Sequence, residues 1–204
     1  MFRGPCPAAA LLLFCASAAA QVIEFESGGL KYQTLTRGGV TLMFAHLPSH
    51  VREYSIVQVA VSNGSGMFQT IRPEDFKFQR IDGAALQGEQ AGAVVAELIA
   101  KATRNDVIRL VSTYELSLYG MQRFQSTSGY EQRRQSALAE VSSAKLKAAA
   151  AASAIALVPT RLPPGQSTDG AVFFRNAGKP LGSGRLLLTL GKLQFDFRVE
   201  AAQP

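Results

Sequence analysis

The stretch Glu53 to Asp82, EYSIVQVAVSNGSGMFQTIRPEDFKFQRID, decides the fold. Val57, Val59 and Val61 alternate with Gln58, Ala60 and Ser62, and that period of two gives a strand one β-branched, buried face. Asn63-Gly64 offers the left-handed backbone that a tight turn needs. Beyond Pro73, Phe76 and Phe78 alternate with Lys77 and Gln79 and predict a second inward face, closed by Asp82-Gly83. The expectation is a strand, a tight turn and a second strand, forming the central hairpin of a β-sandwich.

Upstream, Ile23 and Phe25 alternate with Glu24 and Glu26, and Val40, Leu42 and Phe44 alternate with Thr41, Met43 and Ala45. Ser27-Gly28-Gly29 and Arg37-Gly38-Gly39 separate these early strands as turns. Downstream, LPPGQSTDGAVFF from Leu162 reads as a Pro-Pro-Gly turn, a polar bend, and then Val172 and Phe174 facing one way with Phe173 the other. Leu186, Leu188 and Leu190 follow. Gly191-Lys192 fits a two-residue turn with glycine first, ahead of Phe195, Phe197 and Val199.

Between these halves the pattern changes. From about Glu89 to Ala154 the period moves towards 3.6 and proline is absent. Val94, Leu98 and Ile99 with Ala102 predict a first helical stripe. Asn105 is the expected cap of a second helix carrying Ile108, Val111, Glu115, Leu118 and Tyr119. The run 125–129 breaks that helix, and Tyr130 to Ala154 predicts a third, alanine-rich one whose small residues allow close packing. The chain then turns back into a strand near Ile155 and Leu157.

The first 20 residues carry one Arg, an apolar run from Ala8 to Phe14 and a small-residue end, the layout of a secretory signal cleaved near Ala20. The apolar run is too short for an ordinary membrane helix. Phe14 is bulky where a lipoprotein site wants a small residue, which favours simple cleavage over lipid attachment at Cys15. Both cysteines, Cys6 and Cys15, fall inside this segment, so the expected secreted chain contains no disulfide and no thiolate site. The chain has 21 basic and 15 acidic residues, and removing Arg3 leaves a charge of +5 from the full chain's +6. Such a basic secreted protein meets anionic envelope surfaces sooner than nucleic acid, for which a stacking aromatic stripe is also missing.

No metal and no cofactor is expected. His46 and His50 are the only histidines; Pro48 between them forbids an uninterrupted helix and no carboxylate joins them, so they read as exposed imidazoles in a loop. Ser142-Ser143-Ala144-Lys145 contains the Ser-x-x-Lys nucleophile motif of penicillin-recognising enzymes. Its companion Ser-Asp-Asn and Lys-Thr-Gly elements are absent, and an alanine-rich helix accounts for both residues. Asn63-Gly64-Ser65 is formally a glycosylation sequon, although Gly64 marks a turn first. The helical stretch is the most basic part of the chain, and Arg123, Arg133, Arg134, Lys145 and Lys147 form its candidate ligand-binding face, against the simpler reading of a solvated helical surface.

The runs YSIVQVAVSNGS, IRPEDFKFQRIDG, LPPGQSTDGAVFF and GRLLLTL with FDFRV resemble the bacterial extracytoplasmic immunoglobulin-like domains of secreted proteins and lipoproteins. The resemblance covers Tyr54 to Gly83 and Leu162 to Val199, and it implies a frame while saying little about a ligand. The long helical segment is the departure from that family's simple domain. The reading is therefore an α+β protein: an immunoglobulin-like β-sandwich of about seven to nine short strands with an inserted segment of two or three helices. Residues 1–20 are the signal, 21–83 and 155–204 the two parts of the sandwich, and 84–154 the insertion. The function expected is a non-catalytic binding or scaffolding module of the bacterial envelope, secreted or periplasmic, facing another envelope protein or an anionic envelope component. A self-assembling subunit and a serine hydrolase using Ser142 and Lys145 are the alternatives.

Overall fold

The computed structural model describes residues 21–27, 29–120 and 143–201. Most of it is antiparallel β-sheet, with three helices. The strands are β1 (Ile23–Ser27), β2 (Leu30–Arg37), β3 (Val40–Val51), β4 (Tyr54–Asn63), β5 (Gln69–Ile71), β6 (Phe76–Arg80), β7 (Ala85–Gln87), β8 (Thr160–Leu162), β9 (Ser167–Arg175), β10 (Gly184–Leu190) and β11 (Leu193–Val199). The helices α1 (Ala91–Lys101), α2 (Arg104–Gly120) and α3 (Ala144–Ile155) lie between β7 and β8 in sequence.

A five-stranded sheet runs in the order β1-β2-β3-β4-β9, and a four-stranded sheet in the order β11-β10-β6-β7; β5 and β8 make a separate pair. One face of the large sheet, with Leu35, Leu42, Phe44, Val57, Val59, Val61, Val172 and Phe174, shares an apolar core with Phe76, Phe78, Leu186, Leu188, Phe195 and Phe197 of the small sheet. Burying each such side chain contributes about 1.5–3 kcal/mol. The two sheets meet face to face across this core, an arrangement compatible with the expected sandwich.

The central hairpin is a correction. β4 pairs with β3 and β9, whereas β6 pairs with β10 and β7, so the two runs lie in opposite sheets and touch only through their buried side chains. Asn63-Gly64 opens a crossing between sheets. Asn63 is buried, its Nδ2 donates to the carbonyls of Met67 and Leu162, and its Oδ1 accepts from the amide and hydroxyl of Ser65. That side chain replaces the ladder bonds a hairpin would have made.

The second correction concerns the other face of β4. Every residue of β4 except Ser62 is buried, because the helices cover the face that carries Tyr54, Ile56 and Ala60. Val94 and Leu98 of α1, Leu110 of α2 and Ala148, Ala149, Ala152 and Ile155 of α3 complete this second core. The alanines let α3 approach α1 and the sheet closely, as the composition predicts. Ile99 and Ile108 point to solvent instead of joining the stripes. Asn105 lies inside α2; the first turn is capped two residues earlier, at Thr103, whose amide and hydroxyl both donate to Asp106. A continuous helix over Tyr130 to Ala154 is also corrected: Ser143 is extended, with ψ 143°, and its hydroxyl caps α3 by accepting from the Leu146 amide. The residues 121–142 lie outside the described residues.

The turns fall where glycine predicts them. Gly38 and Gly39 have positive φ between the paired Arg37 and Val40, and Gly191 has φ +58° between Leu190 and Leu193.

Candidate functional site

The two edges of the large sheet differ. Along β9 the edge is closed by the chain on either side of the helices: the Glu89 amide donates to the Phe173 carbonyl, Gly88 bridges Phe174, and the Leu157 amide donates to the Ala171 carbonyl. Gly170 makes this closure fit, because a Cβ there would stand 2.6 Å from the Leu157 Cα. Along β1, no described strand pairs with the outer edge.

Beside that free edge the sandwich opens into a cleft of about 530 Å³. Glu24 and Glu26 of β1, Lys31 and Gln33 of β2, Phe44 and His46 of β3, and the end of β11 from Arg198 to Ala201 line it. The alternation of β1 places Glu24 opposite Gln33 and Glu26 opposite Lys31 on this face, and turns Ile23 and Phe25 to the other. Phe25 stacks on Tyr32 with centroids 5.1 Å apart, and Phe44, which lines the cleft, meets the core residue Phe197 edge-on at 4.9 Å. Gln33 spans the opening: its Nε2 donates to the Glu24 carboxylate and, at 2.9 Å, to the Arg198 carbonyl.

His46 is half-buried here, and burial lowers its pKa, which keeps the imidazole neutral at physiological pH. The expectation of two loop imidazoles is corrected, since both histidines lie in β3, whose register shifts between His46 and His50. Among the described residues no three His, Cys, Asp or Glu side chains gather as metal ligands.

A second polar cluster joins the helices to the sheet. Arg175 donates to Glu97 Oε2 at 2.6 Å and to the Tyr54 hydroxyl at 2.6 Å, and Tyr54 donates to the same carboxylate oxygen at 2.7 Å. The Arg175 bond, then the Tyr54 bond, pull the Glu97 carboxyl down to about 2. Burial, reinforced by the Glu97 bond, raises the Tyr54 phenol. Among the described residues Glu97 Oε1 makes no hydrogen bond and stands 3.5 Å from the Lys101 ammonium, and none of these residues lines the cleft, so the cluster reads as a clamp on α1.

The candidate basic face contributes nothing to the cleft. Lys145 and Lys147 are exposed on α3, and Arg123, Arg133 and Arg134 lie outside the described residues. Ser142 does too, while Lys145 projects into solvent. The cleft itself escapes sequence reading because its walls come from opposite ends of the chain; the one local signal is a pair of glutamates alternating with apolar residues at the first strand.

No protein-family model, curated protein or solved structure matches the chain. No helix among the described residues is long and apolar enough to cross a membrane.

Proposed function

We propose that the chain is a non-catalytic binding module of the bacterial envelope, and that the cleft between β1 and the end of β11 is its recognition site. The observation that carries this reading is the pairing of an open cleft with a sheet edge that no described strand covers. Inward of the cleft, β4 and β9 of the large sheet are buried on both faces, which gives a rigid frame for a site at its rim. The signal-like first 20 residues support delivery to the envelope.

The helices leave after β7 and return before β8, which supports reading them as an insertion into an immunoglobulin-like frame. The unbroken β1-β2-β3-β4 meander departs from the Greek-key connections of that frame.

The test is capture of envelope components by the immobilised full chain, beside two variants whose fold is checked by circular dichroism. One variant changes Glu24, Glu26 and His46 to Gln; the other changes Arg123, Arg133, Arg134, Lys145 and Lys147 to Ala. Loss of capture with the first alone supports the cleft. Loss with the second alone overturns it and returns recognition to the basic helical face.

A further inference from the structure

The geometry points to strand addition at β1: its outer edge, which no described strand pairs, accepts an extended polypeptide segment in which apolar and basic residues alternate. This rests on the cleft being the recognition site, and names its partner class.

The backbone argument comes first. In an antiparallel pair, every second residue turns its N–H and C=O away from its partner. β1 and β2 are joined across two residues, and Ser27 and Leu30 are the pair flanking that connection. A two-residue hairpin is closed by a hydrogen-bonded pair, so alternation directs the peptide groups of Glu24 and Glu26 outwards. An added strand thus meets two N–H and two C=O groups in register.

Side chains then set the sequence. A residue placed opposite Glu24 or Glu26 points to the cleft face, where two carboxylates line the outermost strand. Lys31 and Arg198 stand further in, on β2 and at the end of β11, so the rim nearest the newcomer is acidic although the chain as a whole is basic. Residues between those positions lie on the other face beside Ile23, 62% exposed, and Phe25, 39% exposed. Those two are large apolar side chains in a strand that leaves them in water, and a flanking apolar residue covers them.

A second copy of the chain fits less well. Two β1 strands paired about a two-fold axis through Phe25 set Glu24 of each opposite Glu26 of the other, and like charges directly opposite are destabilising.

The experiment uses the full chain and a fluorescent peptide of about eight residues alternating valine and lysine, long enough to cover β1. Binding is read by polarisation. One control peptide is N-methylated at the lysine nitrogens, which face β1; a second is N-methylated at the valine nitrogens, which face away. A third replaces lysine by glutamate. The expected result is binding by the parent and the valine-methylated peptide, and at least about tenfold weaker binding by the lysine-methylated one. The glutamate peptide and the Glu24→Gln, Glu26→Gln variant of the protein should each weaken binding several-fold, with a loss that shrinks in high salt. Equal binding by both methylated peptides overturns strand addition while leaving a side-chain cleft standing. Absence of binding by the parent peptide overturns the proposed partner class, whereas failure of the cleft itself shows separately, as envelope capture that survives the cleft variant.

Discussion

Arg175 stands directly opposite Tyr54 across the β4–β9 ladder; its Nη2 donates to the tyrosine hydroxyl and its guanidinium carbon lies 4.9 Å from the ring centroid. Both side chains end on the same oxygen of Glu97, one helix away. The contact therefore couples the position of α1 to the two strands at the covered side of the large sheet.

That coupling is sensitive to acid. The Glu97 carboxyl titrates near 2 in the folded chain against an ordinary value of 4.5, so its stabilising contribution is complete above about 4.5 and is lost as pH falls through about 2. Arg175 is 48% exposed, and solvent screening holds the effect to about 1 kcal/mol. Urea unfolding between pH 5 and 2 should show a steeper loss of stability in the native chain than in Glu97→Gln. Parallel curves would show that the contact adds nothing.

Gln58 is fully buried at the centre of β4, between Ala45 and Ala171 on the neighbouring strands, and neither polar atom of its side chain has a hydrogen-bond partner. A buried amide without partners costs more than an apolar group of the same shape. Gln58→Met should raise stability by about 1 kcal/mol and increase the melting temperature. A fall would mean that the amide is bonded, through water or otherwise.

Gly170→Ala should be among the most damaging single methyl additions. Its Cβ meets the Leu157 backbone, and neither β9 nor the end of α3 can yield without breaking the Leu157 to Ala171 bond. A loss of about 2–3 kcal/mol is expected in denaturant unfolding, the size typical of overpacking.

Asn63 should carry no glycan even where the machinery is present, because its side-chain nitrogen is buried and donates to two carbonyls. Intact mass after secretion from a eukaryotic host checks this. Asn63→Ala should cost about 2 kcal/mol by removing the bonds to the Met67 and Leu162 carbonyls and those accepted from Ser65.

The sequence was informative wherever a property is local. Period two in Val57 to Val61, Phe76 to Phe78 and Phe195 to Val199 identified the residues that share the inter-sheet core, and the glycine turns at Gly38-Gly39 and Gly191 carried their own backbone signature. Alternation says which face is buried and leaves open which strand lies alongside. Hence β4 and β6 read as a hairpin although they face each other across a core. The second face of β4 was hidden for a related reason: Gln58 and Ala60 look like a wet face until helices arrive from later in the chain. Ile99 and Ile108 misled in the opposite direction, because hydrophobicity alone cannot choose between adjacent positions on a helix. The cleft had no local signature, since Glu24 and Arg198 become neighbours only when β11 reaches β2.

The chain leaves for the helices and returns from them along one strand: Gly88 and Glu89 meet β9 at Phe174 and Phe173, and Ala156 and Leu157 meet it at Ala171. The excursion thus begins and ends at neighbouring points of β9, and its apolar underside meets Tyr32, Met43, Ile56 and Phe173 of the large sheet. Substitutions on that underside, at Leu98 or Ala152, should therefore cost far more stability than substitutions at exposed helical positions such as Ile99 and Ile108.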